Sequence, residues 1–470
     1  MVNLTLLLIV PALGILLIIL RRFYEKFVSP EIIVFSVMVL NAILFGLGLV
    51  FGFGNFSVNI NSSISLAFSL QENFITIPFL FLATVVPLAI LLFAVKEIKE
   101  SKDIFYIFYL LVYLSVISVF ISSNLLIFFV FWEVAVLSLF FITGLWGDKK
   151  KGKKAAMKFL VFTQFGSLTL LAVFILLFLY TGSFNFSVIA SKMSLLPSYI
   201  EYIAFFLLLI TVMIKMPIFP LHGWLLDSYY YSPSSGTMFL SSMLSKLGGF
   251  AFILFGFGLF RNVLIAFRLP LISLGVFTAV YIAFTASGQK DLKKLLSYSS
   301  MFYMALIFIG VSSGVNTAIA GSILLMVSHA FIITLLFGVS YILLKRTGTN
   351  EMESMGGIMS KMPILSFFLV FGIFASLGIP GLSNFPGELL IFIGSYSVAG
   401  ISLIAIFGIM LSTNYYLRVI KQSLFGQLKK TFASLKDISR AEVITMGFLS
   451  FFILLIGLFP SLLLNTLGGL

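Results

Sequence analysis

Five residues stand in apolar surroundings where a titratable group is costly, and each of them can carry a proton. Lys215 follows the apolar run 203–210 and opens the stretch K-M-P-I-F-P-L-H-G-W-L-L-D, which ends at Asp227. An ammonium in hydrocarbon is unfavourable by several kcal/mol unless it is paired or hydrated. Pro217 and Pro220 remove backbone donors and clash with the preceding turn, so the helix is expected to break beside its own charge. Irregular backbone at membrane depth is tolerated only against protein or a water-filled cavity. His222, one of two histidines in the chain, follows at once. The other four are Glu133 in F-F-V-F-W-E-V-A-V-L, Lys246 in S-S-M-L-S-K-L-G-G-F, His329 in L-M-V-S-H-A-F and Glu388 in G-I-P-G-L-S-N-F-P-G-E-L-L.

A series Glu, Lys, Lys, His, Glu at membrane depth suits proton transfer through a bilayer, because each member can lose and regain a proton. Burial disfavours the charged form of Lys and Glu alike, which draws both toward the working pH. Arg stays protonated and cannot serve, and none is expected inside a span. A Glu–Lys pair ~6 Å apart at an effective dielectric near 20 interacts by roughly 3 kcal/mol, so opening and closing the Glu133–Lys215 pair is a switch. Each residue also has a plainer role open to it. Glu133 and Lys215 form a buried pair that only fixes helix register, Lys215 or Lys246 snorkels, His329 hydrogen-bonds between helices, Glu388 caps the broken helix and serves only structure, or His222 is structural near an interface.

Composition sets the frame. The 470 residues are 61% hydrophobic and 10% charged, with no cysteine and a formal net charge of +13. That balance belongs to an integral membrane protein with many spans. Thiolate metal sites and iron–sulfur clusters are excluded on this chain. No catalytic triad, phosphate loop or nucleotide fingerprint is present. The positive charge reflects basic loops on one side rather than nucleic-acid binding. Residues 1–20 lack a basic leader and end in Arg21-Arg22, so no cleavable signal peptide is expected.

Segment length gives about 14 spans, roughly 2–20, 31–53, 74–95, 104–121, 123–146, 156–180, 199–221, 234–260, 266–287, 294–312, 317–344, 363–396, 398–420 and 442–465. Loops after odd-numbered spans hold about 24 basic residues, including Arg22, Lys26 and the run 149–158, whereas loops after even-numbered spans hold only Lys192, Arg261 and Arg268. By the positive-inside rule both termini lie outside. The seventh span is broken at Pro217 and Pro220, and the twelfth at Gly378, Pro380, Gly381, Pro386 and Gly387. Broken helices five spans apart are the signature of two inverted five-helix repeats. The expected organisation is an N-terminal three-helix segment (1–103), a first repeat (104–260), a second (261–420), then a surface connection with the last span (421–470). A short surface helix fits within 418–440.

F-W-E-V, K-F-L-V-F-T-Q, K-M-P-I-F-P-L-H-G-W-L-L-D, K-L-G-G-F, Q-K-D-L-K-K-L-L-S-Y-S-S, S-H-A-F and M-G-G-I-M-S-K-M-P followed by G-I-P-G-L-S-N-F-P-G-E together carry a family resemblance. From about the third span onward the chain resembles the antiporter-like membrane subunits of respiratory complex I and those of related hydrogenases and multisubunit cation/proton antiporters. The middle, M-type subunit is the nearest type, because Glu rather than Lys stands at 388. The resemblance implies an all-α fold of 14 core helices with broken seventh and twelfth helices around a hydrated polar axis. It implies a Glu133–Lys215 couple, a central relay through Lys246 and His329, and Glu388 as terminal group, with His222 and Asp227 in support. It further implies a non-redox subunit of a proton-translocating oxidoreductase in an energy-transducing membrane. Flavin, iron–sulfur and quinone sites would then lie on partner subunits, and the partners would be other antiporter-like and small membrane subunits, soluble redox subunits and lipid. The sequence departs from the family at Leu226, where Pro is common, at Ile333, where some members have a second Lys, and at Tyr303, where some have His. The rival readings are a sodium/proton antiporter subunit, the membrane subunit of an energy-converting hydrogenase-like complex, and a non-conducting scaffold.

Overall fold

The structure is a computed structural model that describes residues 1–21, 28–61 and 66–468; Arg22 and Lys26 of the basic loops lie outside the described residues. By contacts the chain forms two units. One comprises Met1–Lys215 with Tyr231–Ala266, the other Met216–Tyr230 with Phe267–Gly468.

The first unit holds α1 (Leu6–Leu20), α2 (Pro30–Phe51), α3 (Thr76–Glu97), α4 (Lys102–Ile121), α5 (Leu125–Trp146), α6 (Gly152–Thr181), the short α7 (Phe186–Lys192) and α8 (Ser198–Lys215). After α9 (Leu225–Tyr231) comes α10 (Ser234–Phe257). α10 is apolar on every side and buried along its length, as such a helix must be. It packs on α3 and α8, while α5 and α6 lie side by side. Paired charges fix the helix ends: Arg21 to Asp103 at 2.7 Å and Lys102 to Glu31 at 2.7 Å. Asp148 fastens the turn that leads into α6 by accepting from Lys150 N at 3.0 Å and Lys151 N at 2.8 Å, which holds its carboxyl below the usual carboxylate range.

The second unit holds most of α11 (Arg261–Ser287), then α12 (Leu292–Ser312), α13 (Asn316–Thr347), α14 (Pro363–Ser376), α15 (Asn384–Tyr396), α16 (Gly400–Leu424) and α17 (Arg440–Leu458). Here α13 is the buried centre, packed by α12, α14, α15 and α17. A backbone can approach another closely only at small residues. A Cβ on Gly387 of α15 would lie 2.9 Å from Leu325 N and 3.1 Å from Gly321 O of α13.

Twelve helices among the described residues are long and apolar enough to cross a membrane. The remaining apolar spans of the sequence are α1 and the pair α14–α15. Both interrupted helices are present: α8 stops at Lys215 and the chain resumes helix at Leu225, and α14 stops at Ser376 before α15 begins at Asn384. Four differences from the sequence reading stand out. The seventh helix ends at Lys215 rather than near 221, because the missing donors of Pro217 and Pro220 end it a turn earlier. Arg261 and Arg268 lie inside α11 rather than in a loop, since Pro270 stays within the helix. Residues 418–440 carry only the end of α16 and a 3-10 turn at Lys430–Phe432. Asp437 there accepts from Ile364 N and Leu365 N, so the segment is spent on capping α14. The fourth is a small amount of strand. β1 (Val2–Asn3) pairs in parallel with β2 (Phe53–Gly54), and β3 (Phe56–Asn61) pairs with β4 (Leu66–Leu70) as an antiparallel hairpin between α2 and α3.

Gly387→Val is expected to force α13 and α15 apart and to destabilise the protein by about 1–3 kcal/mol or more. Thermal unfolding in detergent measures this, with Gly447→Ala as the neutral control because a Cβ there meets nothing within 4 Å.

Candidate functional site

The charged residues fall into two local sets, one in each unit. In the first, α6 and α8 are drawn together by hydroxyls. Thr211 Oγ1 donates to Gly166 O at 2.8 Å and meets Thr169 Oγ1 at 2.8 Å. Trp132 of α5 is anchored from the other side, its Nε1 donating to Ser167 Oγ at 3.3 Å. The Lys215 ammonium then sits 4.7 Å from the centre of the Trp132 ring. Lys215 is fully buried, and among the described residues no hydrogen-bond partner reaches its Nζ. Glu133, beside Trp132, is half-buried and within electrostatic range of Lys215 without being hydrogen-bonded to it. Its Oε2 accepts instead from Gln164 Nε2 at 2.5 Å. A cation over an aromatic face gains about 0.5–2 kcal/mol. Lys215 is also the last residue of α8, where the carbonyl ends of the helix favour a cation.

Lys246, on α10, is fully buried as well. A π-helical turn at Leu240–Leu244 precedes it, and its Nζ donates to Ser241 O at 2.6 Å and Ser245 Oγ at 3.4 Å. The ammonium is thus held by its own helix.

In the second unit His329 of α13 has its Nε2 3.3 Å from Ser300 Oγ of α12. Its ring faces Tyr303 at 4.7 Å, and the Tyr303 hydroxyl donates to Ser376 O, the last residue of α14. Ser328 Oγ donates to Ser383 O at 2.8 Å across the same break. Glu388, on the first turns of α15, is buried with its carboxylate against Gly378. Gly378 has φ +64°, and a Cβ there would lie 2.5 Å from Glu388 Oε2. His222 packs its ring between Phe219 at 5.8 Å and Tyr281 at 5.7 Å. Asp227 lies within electrostatic range of Tyr298. Among the described residues no cluster of three or more His, Cys, Asp or Glu could hold a metal.

The structure therefore sets Glu133 and Lys215 near one another without contact, and ties His329 through Tyr303 to the break that Glu388 faces. Trp132, Gln164 and Tyr303 are the side chains that the reading of single charges missed. Trp132 and Gln164 stand inside the quoted motifs F-W-E-V and K-F-L-V-F-T-Q, and Tyr303 registered only as the absence of a His.

Buried charges at two interrupted helices, in a bundle of membrane-spanning length, define an antiporter-like membrane subunit. A family model described as NADH:quinone oxidoreductase/Mrp antiporter, TM matches residues 122–412. NADH-quinone oxidoreductase subunit M of Rickettsia bellii (strain RML369-C) is 34% identical over 352 residues, 74% of this chain and 71% of that protein. The subunit M of Escherichia coli (strain K12) is 33% identical over 362 residues, covering 75% and 71%. Among solved structures, a chain of respiratory complex I from Thermus thermophilus with bound NADH superposes with a TM-score of 0.89 at 24% identity, covering 99% of this chain and 97% of that one. A chain of the membrane-bound sulfane sulfur reductase, an archaeal respiratory membrane complex, gives 0.87 at 21% identity, covering 99% and 96%. At those identities the structures speak for the fold. The chain belongs to the NADH:quinone oxidoreductase/Mrp antiporter family of membrane subunits.

Gly378→Ala is expected to displace the Glu388 carboxylate and to lower the turnover-coupled proton uptake of vesicles. Gly426→Ala has a similar backbone (φ +96°) but meets nothing within 4 Å, and it should leave uptake unchanged.

Proposed function

We propose that this chain is the M-type proton-translocating subunit of a redox-driven, quinone-reducing membrane complex, and that its protons pass by way of Glu133, Lys215, Lys246, His329 and Glu388. The observation that carries the reading is Lys215: a fully buried ammonium at a helix break, over an indole face, with no carboxylate hydrogen-bonded to it. A purely structural lysine would be locked in a contact pair. One held only by weak, adjustable terms can change its protonation. The subunit-M names of its relatives support the placement in such a complex. In this reading the redox cofactors sit on partner subunits, and energy reaches the chain as a conformational or electrostatic signal. His222 and Asp227 steady the segment after the first break. Spans 4–8 and 9–13 form the inverted repeats, each with one interrupted helix and one buried central helix. Both termini lie on the outer side, as the loop charges direct. Sodium exchange is the second reading, since the family also covers Mrp antiporter subunits.

Two variants in the assembled complex test the relay. Lys215→Arg keeps the charge but cannot release its proton. Glu388→Gln keeps the shape but cannot titrate. Both are expected to reduce turnover-driven proton uptake in vesicles by about tenfold or more, a threshold set below the roughly 10²–10⁴-fold that a proton-transfer group contributes. Uptake at the parent level with Lys215→Arg would make that residue a fixed counter-charge and end the relay reading. Uptake that requires sodium would favour exchange. For topology, the chain has no cysteine, so Lys150→Cys gives a single thiol. An impermeant maleimide is expected to reach it only from the cytoplasmic face.

A further inference from the structure

The relay leaves one feature of the first unit unused. A cavity of about 250 Å³ lies where the connections into α3, α5 and α7 meet, lined by polar Glu72, Asn73, Ser122, Ser123 and Ser187 and by apolar Phe74, Phe186 and Leu254. Its walls are tied together by backbone: Gln71 N donates to Ile121 O at 2.8 Å, Phe186 N to Ser123 O at 2.9 Å and Leu125 N to Phe184 O at 2.8 Å. Gln71 and Ser187 are exposed at its rim. Glu72 is half-buried, and burial holds its carboxyl above the usual carboxylate range. All three connections follow even-numbered spans, whose loops are poor in basic residues, which puts the cavity at the outer face.

Beneath it lies a layer of interlocked rings. Lys246, Phe250 and Leu254 follow one another at intervals of four on α10 and so share a face, with Phe250 ~6 Å and Leu254 ~12 Å along the axis from the lysine. The Phe250 ring meets Phe79 at 5.1 Å and Phe120 at 4.9 Å, and those two meet each other at 5.0 Å. All three are fully buried. Phe255 extends the layer, touching Phe128 at 5.1 Å and, at 6.2 Å, the Phe186 that lines the cavity. The same stretch of α10, Phe252–Phe257, is a second π-helical turn, an irregularity common at functional sites.

We propose that Glu72 is the outer proton-accepting group of the first unit, and that Phe79, Phe120 and Phe250 form the gate between it and Lys246. With the rings parted, the Lys246 ammonium gives one proton to water entering the gap and becomes a neutral amine. The Glu72 carboxylate takes one proton from that water, becomes a carboxylic acid, and releases it to the outer solution. With the rings closed, the layer offers no side-chain donor or acceptor, so the ion gradient does not run back through Lys246. The inference rests on the proton-transport reading, which the Lys215→Arg and Glu388→Gln assays test separately. The gate is read without turnover, as passive conductance.

The test uses vesicles carrying the assembled complex, with a pH gradient imposed in the absence of redox substrate. Phe250→Ala is expected to raise passive proton conductance several-fold, and adding Glu72→Gln to bring it back toward the parent value. Conductance no higher than the parent's in assembled Phe250→Ala complex overturns the gate. A raised conductance that Glu72→Gln leaves untouched overturns the role of Glu72. Where Phe250→Ala fails to assemble, Phe120→Leu, which keeps most of the apolar volume, is read in the same way. Independently, Ser187→Cys gives a lone thiol at the rim. Labelling by an impermeant maleimide from the outer side is expected, and protection from that side overturns the assignment of the cavity as an outer port.

Discussion

In hydrocarbon, a charge and a free backbone carbonyl are both expensive, and this fold places each beside the other. Lys215 is the last residue of α8, so its ammonium lies where carbonyls have lost their helical partners and the helix end is partly negative. Glu388 stands on the first turns of α15, where free N–H groups make the helix end partly positive, and helical side chains lean toward that end. In each interrupted helix, therefore, the sign of the buried charge matches the half-helix that carries it. The cation precedes its break and the anion follows its own.

Around that constraint each unit has the same division of labour. One helix is enclosed on all sides, α10 in the first unit and α13 in the second, and each carries a titratable residue that leans on small polar neighbours. The π turn before Lys246 brings a backbone carbonyl to the ammonium, which supplies a partner without adding a counter-charge. His329 is held between Ser300 and Tyr303, and Tyr303 in turn reaches the end of α14. In the second unit, therefore, a change at the break can reach His329 through the single side chain of Tyr303.

Much of this was legible in the sequence, for identifiable reasons. Long apolar runs mark spans because a bilayer demands length, and the boundaries of α4, α5, α10, α12 and α13 fall within a few residues of the runs. Pro217 and Pro220 announced the first break, and the Gly and Pro residues around Glu388 the second. What the sequence concealed depends on contacts across helices. Nothing in F-W-E-V says that the tryptophan, rather than the glutamate, touches Lys215. Tyr303 read as a missing histidine, yet it stacks on the histidine that is present. The β3–β4 hairpin lies among apolar and small polar residues whose alternation is too short to separate from a loop. Arg268 read as a loop residue because Pro270 follows it, but Pro270 lies within a helix that continues through it, as membrane helices allow where neighbouring groups satisfy the freed backbone.

The magnitudes explain why loose pairing suits such a chain. Two unit charges ~7 Å apart at an effective dielectric near 20 attract by about 2.4 kcal/mol. The indole face adds about 0.5–2 kcal/mol, and a helix terminus about 0.3–2 kcal/mol. No single term dominates, and each depends on a distance that a small helix shift changes. A contact ion pair at this depth would be costly to break, by about 3–5 kcal/mol when one partner is lost, and would favour a single protonation state. The Glu133 carboxylate is instead hydrogen-bonded to Gln164, a neutral partner on the neighbouring helix, which keeps it near Lys215 without closing on it. The arrangement gives up some of the stability a closed pair would add and leaves the lysine's protonation responsive to its surroundings.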